Sequence, residues 1–300
     1  MTSCWIIYNG FLPGNKFRDF AEMIHEAAIS RGHDAVIYKN SEIISFLQQP
    51  IHMLIENNEK RPDYVVFTDK DIYLAEQLEL LGIPVFNSAR TIEVSDDKIK
   101  TYQILAAKNI PIPRTIFAPK TYGFPLQLGD YFLQRVIDSL GFPLIVKEAF
   151  GSFGEQVYFI QNEAELVKKI KQIAGKPMMF QQFIDTSYGV DLRLQVVGDK
   201  VITAMKRESK NDFRANVTSG GSMEPYEPTA LEKEIAIRAS KAIDAHFSGV
   251  DLLFGKDGTP IVCEVNSNAH IRNLFDCTGI NVAYDIIHYI EEKLGEPSSC

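Results

Sequence analysis

Three features are missing from this sequence, and each absence narrows its interpretation. No apolar run approaches the ~20 residues that a membrane helix needs. The N-terminus around Met1 has no basic flank, so we expect neither a membrane partner nor a signal peptide. Excess positive charge is also missing, since 39 acidic residues outnumber 31 basic ones and give a net charge of −8. That charge argues against a nucleic acid as the main partner, but it leaves room for a local basic pocket that binds a small anion.

Cysteine is scarce, and its spacing is unlike that of a metal site. The four cysteines are Cys4, Cys263, Cys277 and Cys300, and they include no closely spaced pair. They fit reduced thiols in a protein that we expect to be cytoplasmic. Repeats and low-complexity tracts are absent as well. The chain has 300 residues, 45% of them apolar and 23% charged, which is typical of a globular protein with two or three subdomains.

The first 95 residues alternate strand and helix patterns. Strands are predicted at 4–8, 34–38, 63–68 and 83–86, and helices at 16–30 and 73–81. The first helix carries one apolar stripe, formed by Phe17, Phe20, Ile24, Ala27 and Ala28. Because strands joined by helical crossovers pair in parallel, this part is predicted to be a parallel α/β domain. The loop at 11–16 lacks a full phosphate-loop pattern, and we interpret it as a turn rather than an anion site.

The rest of the chain is predicted to form two further units. Asp96 or Asp97 can cap a helix that runs to about residue 108, and an extended segment follows. Shorter elements follow, with strands at 144–147, 156–160 and 178–183 and a helix at 163–173. Beyond Gly189 the strands are longer, at 191–197 and 200–208, around a tight turn at 198–199. We therefore predict an α+β C-terminal part and three domains, at residues 1–95, 96–187 and 188–300.

Oxygen-bearing side chains mark two neighbouring apolar strands near the C-terminus. Asp251 lies at the start of one strand, while Glu264 and Asn266 share one face of the next because they are two residues apart. The link at 255–258 predicts a hairpin turn, which would bring the three side chains together. Three hard oxygen ligands suit Mg²⁺. The alternative is a pair of core strands whose acidic residues are merely solvated.

A lysine followed by a glycine loop forms a second pattern. Lys147 ends the apolar strand 143–147, and the loop at 150–155 contains Gly151 and Gly154. A lysine meets phosphate oxygens as a point charge, and small residues let backbone amides approach an anion. Glycine loops mostly just turn the chain, so this pattern alone leaves both interpretations open. The strand 178–184 becomes polar near its end. Its exposed backbone could pair with a nucleotide base, or it could be an ordinary strand of a sheet.

Five basic side chains flank the acidic triplet, although the protein as a whole is acidic. They are Lys147, Arg193, Lys206, Arg207 and Arg214. Salt bridges on a solvated sheet face would explain each one singly. They would not explain why all five accompany an acidic triplet and a glycine loop.

The order of these motifs resembles that of the ATP-grasp ligases, and most closely the RimK-like branch, which includes ribosomal-protein glutamate ligases. The resemblance covers residues 97–294, and its most branch-specific part is the run 212–216 (Asp-Phe-Arg-Ala-Asn) before Gly220-Gly221-Ser222. It implies an ATP-grasp fold preceded by a parallel α/β domain. It also implies ATP and two Mg²⁺ (or Mn²⁺) ions as cofactors.

The resemblance implies roles at matching positions. The residues expected to bind ATP are Lys98, Lys147, Gly151, Ser152, Phe153, Gly154, Gln181, Gln182, Phe183, Ile184, Asp191 and Asn216. The glycine loop would close over the phosphates as a lid, residues 181–184 would line the adenine slot, and Asp191 would lie toward the ribose. The metal ligands would be Asp251, Glu264 and Asn266. The cations that stabilise the transferred phosphoryl group would be Arg193, Arg214, Lys206 and Arg207.

Three departures from the family pattern bear on the substrate. Gln156 stands where another glycine is usual, and Gln182 stands where relatives often carry Glu. After Asn266 the family pattern Asn-x-Ser-Pro-Gly is replaced by a segment that contains Asn268, His270 and Arg272. We expect these three residues to contact the substrate, with His270 and Arg272 binding a carboxylate or accepting the proton of the amine. A solvent-exposed loop histidine is the alternative.

The expected activity is the ATP-dependent joining of a carboxylate to an amine through an acyl phosphate, with release of ADP and phosphate. The substrates would be a small-molecule or peptide carboxylate and an amine acceptor, for example when glutamate is added to a peptide, a protein tail or a small metabolite. A homo-oligomer would fit the family. One alternative is an ATP-grasp ligase that uses a carrier-protein thiol as acceptor. Another is a non-catalytic ATP-binding regulatory protein, against which the intact metal and arginine positions argue.

Overall fold

A four-stranded parallel sheet forms the N-terminal part of the computed structural model, which describes residues 1–12, 14–47, 52–55, 60–120, 130–152, 154–215 and 221–295. The strands of this part are β1 (Ser3–Tyr8), β2 (Asp34–Lys39), β3 (Ile43–Phe46), β4 (His52–Ile55), β5 (Tyr64–Phe67) and β6 (Val85–Phe86). The parallel sheet has the order β2-β1-β5-β6, while β3 and β4 form a separate antiparallel pair. The parallel pairing agrees with the prediction from strand–helix alternation.

Helices cover both faces of this sheet because strand β1 points alternate side chains in opposite directions. The helices of this part are α1 (Lys16–Ser30), α2 (Ile72–Leu80) and α3 (Ala89–Asp96). On one face, Cys4 and Ile6 pack in a cluster with the predicted apolar stripe of α1. On the other face, Trp5 and Ile7 pack in a cluster with residues of α2 and α3. Burial of each large apolar side chain stabilises this core by roughly 1.5–3 kcal/mol.

The middle of the chain forms an antiparallel sheet with the order β7-β10-β8-β9. Its elements are α4 (Lys98–Ala107), β7 (Thr115–Phe117), α5 (Asp130–Leu140), β8 (Leu144–Glu148), β9 (Val157–Ile160), α6 (Glu163–Gln172) and β10 (Met178–Gln182). Asp97 caps α4 as predicted, since its side chain accepts hydrogen bonds from the amides of Ile99 at 2.9 Å and Lys100 at 3.2 Å. Helix α4 therefore begins at Lys98, a predicted site residue.

A second antiparallel sheet, with the order β13-β12-β11-β14-β15, forms the C-terminal part. Its elements are β11 (Val190–Val197), β12 (Lys200–Glu208), β13 (Ser222–Pro225), α7 (Ala230–Ala242), β14 (Phe247–Phe254), β15 (Pro260–Asn266), α8 (Arg272–Thr278) and α9 (Ala283–Gly295). The predicted hairpin turn joins β14 to β15, with the Gly255 amide donating to the Thr259 carbonyl at 2.7 Å. Helix α9 packs back on α1 and so joins the two ends of the chain.

The predicted fold class, α/β with an α+β C-terminal part, is confirmed by these sheets, whereas the division into three domains stays a prediction. Sequence reasoning missed α3, α5, α8, β13 and the pair β3–β4, most of which are short elements. Among the helices of the described residues, none combines the length and apolar character that crossing a bilayer requires.

Candidate active site

A cavity of about 1760 Å³ opens where the three sheets meet, and most of the predicted site residues line it. Those residues are Lys98, Lys147, Gly151, Ser152, Gly154, Gln181, Gln182, Phe183, Ile184, Asp191, Arg193, Arg207, Arg214, Asp251, Glu264, Asn266, Asn268, His270 and Arg272. Lys206 does not line it, and Phe153 and Asn216 lie outside the described residues. The fold thus brings together residues that are up to 174 positions apart (272 − 98).

A chain of ion pairs crosses the floor of the cavity. Arg207 binds both oxygens of Asp191, at 2.7 and 2.6 Å, and also donates to Asp251 at 2.9 Å. Arg193 binds both oxygens of Asp251, each at 2.7 Å. The sheet register produces this chain, because Asp191 lies opposite Arg207 and Arg193 lies opposite Asp251 on neighbouring strands. Each arginine is therefore held in one orientation by the carboxylate across from it.

Asp251 differs from a simple metal ligand in this arrangement. Its two oxygens accept three hydrogen bonds from two guanidinium groups. Burial alone would raise the pKa of this carboxyl, but the charges of Arg193 and Arg207 outweigh burial and lower it. Asp251 is therefore ionised at neutral pH, and its lone pairs are largely used by the arginines.

Glu264 and Asn266 offer more accessible oxygens at the edge of the same sheet. Glu264 lies opposite Asp251 in the register of β14 and β15, and its side chain is 34% exposed. Lys98 approaches Glu264 at 3.8 Å and donates to the carbonyl of Gly151 at 2.9 Å. No cluster of three His, Cys, Asp or Glu side chains that could hold a metal occurs in the described ranges. A divalent ion here would need an amide oxygen and ligand oxygens in addition, and Mg²⁺ accepts such a mixed shell.

Lys147 is the residue before the end of β8, and it places its amine in a buried polar pocket. Its Nζ lies 3.3 Å from the hydroxyl of Tyr102 and 4.0 Å from the sulfur of Cys263. The Tyr102 hydroxyl in turn donates to the Cys263 carbonyl at 2.5 Å. Burial raises the pKa of the Cys263 thiol to about 11, so this cysteine remains a neutral thiol near pH 7. Lys147 therefore keeps a net positive charge directed at the cavity.

Cations from three parts of the chain hold the glycine loop. Besides the bond from Lys98 to Gly151, Arg214 donates to the carbonyl of Gly154 at 2.6 Å. Lys70, from the N-terminal part, lies 3.3 Å from the hydroxyl of Ser152. The guanidinium of Arg214 is itself oriented by Asp212, whose carboxylate it contacts at 3.0 and 2.7 Å. The loop is thus fixed at three successive points along its backbone and side chains.

Gln156, at the position where the family resemblance led us to expect a glycine, contacts the same loop. Its side-chain oxygen accepts a hydrogen bond from the amide of Ser152 at 3.2 Å. Gly151 has φ +138°, and a Cβ built on it would lie only 2.2 Å from that glutamine oxygen. Position 151 therefore favours glycine for its backbone angle, whereas a small shift of the flexible Gln156 side chain would relieve the close approach.

Aromatic rings collect beside the strand that was expected to line an adenine slot. The Phe159 and Phe183 ring centroids are 4.9 Å apart, and Phe159 stacks on Phe213 at 5.4 Å. Phe183 also contacts Tyr188. Gln181 is buried and donates to the hydroxyl of Thr115 at 2.9 Å, while Gln182 is exposed. Such a wall of aromatic and amide groups is suited to a planar heterocycle.

The segment 267–272 is built into the interface with the N-terminal part. Asn268 donates from its side chain to the carbonyl of Asp69, and the hydroxyls of Ser267 and Ser95 lie 2.6 Å apart. Arg272 binds Asp19 through both oxygens, at 2.9 and 2.6 Å. Residues of the N-terminal part therefore determine the position of this segment.

His270 is a partly buried aromatic neighbour rather than a solvent-exposed loop residue. Its ring contacts Phe17 with centroids 4.9 Å apart. Burial, reinforced by the charges of Lys16 and Arg193, lowers its pKa to about 4. The imidazole is neutral at pH 7 and only weakly basic, which disfavours the expected role in taking a proton from an amine. Arg272 is likewise already paired, so a substrate carboxylate would have to share it with Asp19.

Lys206 is the predicted site residue that the strand geometry directs away from the cavity. It precedes Arg207 on β12, and adjacent residues of a strand face opposite sides of the sheet. Lys206 contacts Glu224 at 3.2 Å and Glu208 at 3.8 Å on that other side. Its expected place among the catalytic cations is therefore not supported, whereas Arg207 does line the cavity.

Sequence reasoning missed the contributions of the N-terminal part, chiefly Lys70, Asp19 and Asp69. Asp69 and Lys70 lie two and three residues after the end of β5, which is the carboxyl end of a parallel strand. Ligand sites in open parallel sheets lie at that end, so the position itself was an available signal. Asp19 has no comparable signal, because an acid in the first turn of a helix is common for helix-dipole reasons alone.

The comparisons with solved structures identify the fold of this chain. The fold matches that of ATP-grasp ligases: the chain aligns with the ATP-grasp ligase PsnB, solved with a phosphomimetic variant of a minimal precursor, Mg and ADP, over 98% of this chain and 99% of that one (TM-score 0.69, 19% identity). It aligns similarly with D-alanine–D-alanine ligase from Bacillus anthracis solved with ATP, over 98% and 97% of the two chains (TM-score 0.71, 18% identity).

Comparisons of the amino-acid sequence show the family to which this chain belongs. Residues 95–290 match the model of the RimK-like ATP-grasp domain, and the chain belongs to that family. A relative named probable alpha-L-glutamate ligase 2, from Shewanella denitrificans, is 32% identical over 289 residues, which cover 92% of each chain. The expectation of an ADP-forming ATP-grasp ligase is thereby confirmed.

Proposed function

We propose that this chain joins a carboxylate to an amine through an acyl phosphate, with ATP as the phosphoryl donor. The observation that carries the proposal is the convergence of two groups of residues in one cavity. A glycine loop is held by Lys70, Lys98 and Arg214, and it faces a sheet floor with two oriented arginines and two accessible oxygen ligands. Phosphoryl transfer requires mainly positioning and charge neutralisation, and this set of residues is suited to both.

We propose different roles for the lysines and arginines of the cavity according to their positions. Lys98 and Lys147 would bind ATP phosphates, and the glycine loop would exclude water from the acyl phosphate. Arg193 and Arg214 would neutralise the phosphoryl group during transfer. Arg207 is enclosed between Asp191 and Asp251. We therefore assign to Asp191 the orientation of Arg207 rather than direct contact with the ribose.

Glu264 and Asn266 would hold Mg²⁺, which supplies charge neutralisation and orientation of the phosphates when bound. Their side-chain oxygens face the cavity and carry fewer hydrogen bonds than those of Asp251. Asp251 would join the metal ligands by giving up a bond to one arginine. We retain two ions as the proposed number, and a homo-oligomer stays a prediction.

An amino acid such as glutamate is the proposed amine, and a peptide, protein tail or small metabolite is the proposed carboxylate. The name of the Shewanella relative, and a PsnB structure solved with a precursor peptide, support these classes. The substrate end of the cavity would lie at segment 267–272, where Asn268, His270 and Arg272 contact the N-terminal part.

The test is a screen of paired amino acids and carboxylates for stimulated release of ADP by the purified protein with Mg²⁺ and ATP. We expect ADP, not AMP, and a rate that rises only when both substrates are present. AMP as the product would overturn the proposal. A thioester product that hydroxylamine cleaves would instead support a thiol acceptor.

A single variant separates catalysis from simple nucleotide binding. Glu264→Gln removes the carboxylate that would hold the metal, and it should abolish ADP release while nucleotide still binds. Glu208→Gln is the matched control, because Glu208 lies on the same sheet and pairs with Lys206 away from the cavity. If the unaltered protein binds ATP but never releases ADP, the chain is a regulatory ATP-binding protein instead.

A further inference from the structure

Lys70 joins three parts of the chain that are distant in sequence. It follows strand β5 in the N-terminal part, and its Nζ lies 2.6 Å from Asp96 and 3.3 Å from the hydroxyl of Ser152. Asp96 is the last residue of α3, and Ser152 is in the glycine loop. One flexible side chain therefore connects the N-terminal sheet to the loop of the middle sheet.

The amine of Lys70 lies within electrostatic range of the phosphate end of the cavity. Burial lowers the pKa of Lys98, and the positive charges of Lys70 and Lys147 lower it further, while Glu264 and Asp96 act in the opposite direction. Lys70 thus adds to the same positive potential as the two lysines that we assign to the phosphates.

The ion pair itself contributes little to folding. The side chains of Lys70 and Asp96 are 35% and 21% exposed, and pairs with this exposure have small effects on stability because solvent screens them. Their arrangement beside the loop is therefore better explained by the site than by the fold.

The residue before Lys70 contacts the proposed substrate segment. The carbonyl of Asp69 accepts the side-chain amide of Asn268, which belongs to the proposed substrate segment. Asp69 is buried and its carboxylate accepts hydrogen bonds from Asn9, which fixes this turn. Two adjacent residues, Asp69 and Lys70, therefore contact the substrate segment and the glycine loop respectively.

We propose that Lys70 is a positioning residue that holds the glycine loop closed through Ser152 and links its closure to the substrate segment. This inference rests on the proposed ligase function. In the closed state the ammonium group of Lys70 donates to the Ser152 hydroxyl. The closed loop then keeps water away from the acyl phosphate until the amine attacks.

The experiment compares Lys70→Met, Lys70→Arg and Ser152→Ala with the unaltered protein. Lys70→Met should raise the ratio of ADP released to amide formed about threefold or more, and lower kcat about tenfold, because an incompletely closed loop admits water. Lys70→Arg should restore most of the coupling. The double variant Lys70→Met/Ser152→Ala should resemble Lys70→Met alone, because both changes remove one interaction.

Lys100→Met is the matched control. Lys100 pairs with Glu93 at 2.6 Å, with side chains 40% and 38% exposed, and it does not line the cavity. Its removal should leave the ADP-to-amide ratio unchanged. If Lys70→Met keeps the ratio of the unaltered protein, or if Lys100→Met raises it equally, the inference is overturned while the ligase function stands.

A second measurement does not depend on turnover. Hydrogen exchange of the peptide that spans residues 150–156 should be slowed by Mg²⁺ and a non-hydrolysable ATP analogue in the unaltered protein. In Lys70→Met it should be slowed less. Equal protection in the two proteins would overturn the positioning role, even if no substrate pair has been found.

Discussion

Arg193 and Asp251 lie directly opposite each other on β11 and β14, joined by two hydrogen bonds of 2.7 Å each. Both residues were expected in the site, one as a catalytic cation and one as a metal ligand. Their pairing makes the two roles interdependent, because each side chain is oriented by the other. A change at either residue therefore alters both the charge and the geometry of the cavity floor.

Asp251→Asn should damage both stability and activity. The change leaves half-buried Arg193 and buried Arg207 beside a neutral amide, and removing one partner of such a charge network lowers the free energy of unfolding by about 3 kcal/mol. Activity should fall at least about 100-fold, since Arg193 loses the carboxylate that orients it and Arg207 keeps only Asp191. Urea unfolding and ADP release measure the two effects. A variant of full stability would show that the ion-pair chain is not a structural unit.

Arg214→Lys should reduce kcat/KM for ATP about tenfold, and Arg214→Ala by more. A lysine keeps the charge but cannot bind Asp212 with two nitrogens and the Gly154 carbonyl with a third. Arg238→Lys is the control. Arg238 also contacts a carboxylate, that of Glu234, and a backbone carbonyl, that of Asn109, but it lies on the surface of α7. Steady-state kinetics at varied ATP concentration checks the prediction, and equal effects of the two changes would contradict it.

Asp19→Asn should raise KM for one substrate about tenfold with little change in stability. Its pair with Arg272 is partly exposed and contributes about 1 kcal/mol or less to folding, yet it holds the segment 267–272 in place. Glu22→Gln removes a similar pair with Arg18 on the same helix and should change neither quantity. A lower KM in Asp19→Asn would show that Asp19 competes with a substrate carboxylate for Arg272.

Stability should fall as the pH drops from about 6.5 toward 4, partly because of His246. Burial, together with the charge of Lys293, lowers its pKa to about 4 in the folded protein. The unfolded chain binds this proton near pH 6.5, so it gains protons in this range that the folded chain does not. The expected loss between pH 7 and pH 5 is about 2 kcal/mol from this residue. His270, whose pKa is also lowered to about 4 by burial, should likewise lower the stability as the pH falls.

His246→Phe should make that pH dependence shallower. The new ring would keep contacts with Phe86 and Tyr289 but would bind no proton. The control is His288→Gln, because the His288 side chain is 57% exposed. Denaturant unfolding at pH 7 and pH 5 gives the comparison, and an unchanged slope in His246→Phe would exclude His246 as a source.

Features carried by local patterns were predicted well from the sequence. The Asp97 cap, the turn after Gly255 and the parallel pairing of the first sheet each follow from short-range rules, and the structure contains all three. The presence of Glu264 and Asn266 at the cavity likewise follows from the two-residue period of a strand.

Features that depend on pairing between strands could not be predicted in the same way. Lys206 and Arg207 are equally basic neighbours, and only the orientation of β12 decides that Arg207 faces the cavity. The bond between Arg193 and Asp251 depends on a register that joins residues 58 positions apart. Lys70 and Asp19 reach the site only because the N-terminal sheet packs against the other two, and no local pattern encodes that packing.

The side chain of Gln156 occupies a backbone amide of the glycine loop that a bound phosphate could use. Its amide oxygen already accepts the Ser152 N–H, which is a donor that a phosphate oxygen would otherwise use. If a phosphate of the proposed nucleotide takes this amide, it has to displace the contact, and the apparent affinity then scales with the fraction of time that the amide is free. A glycine at this position would have no such side chain. Under the proposed function, Gln156 would therefore lower the affinity for ATP while it helps the loop to keep its shape between turnovers.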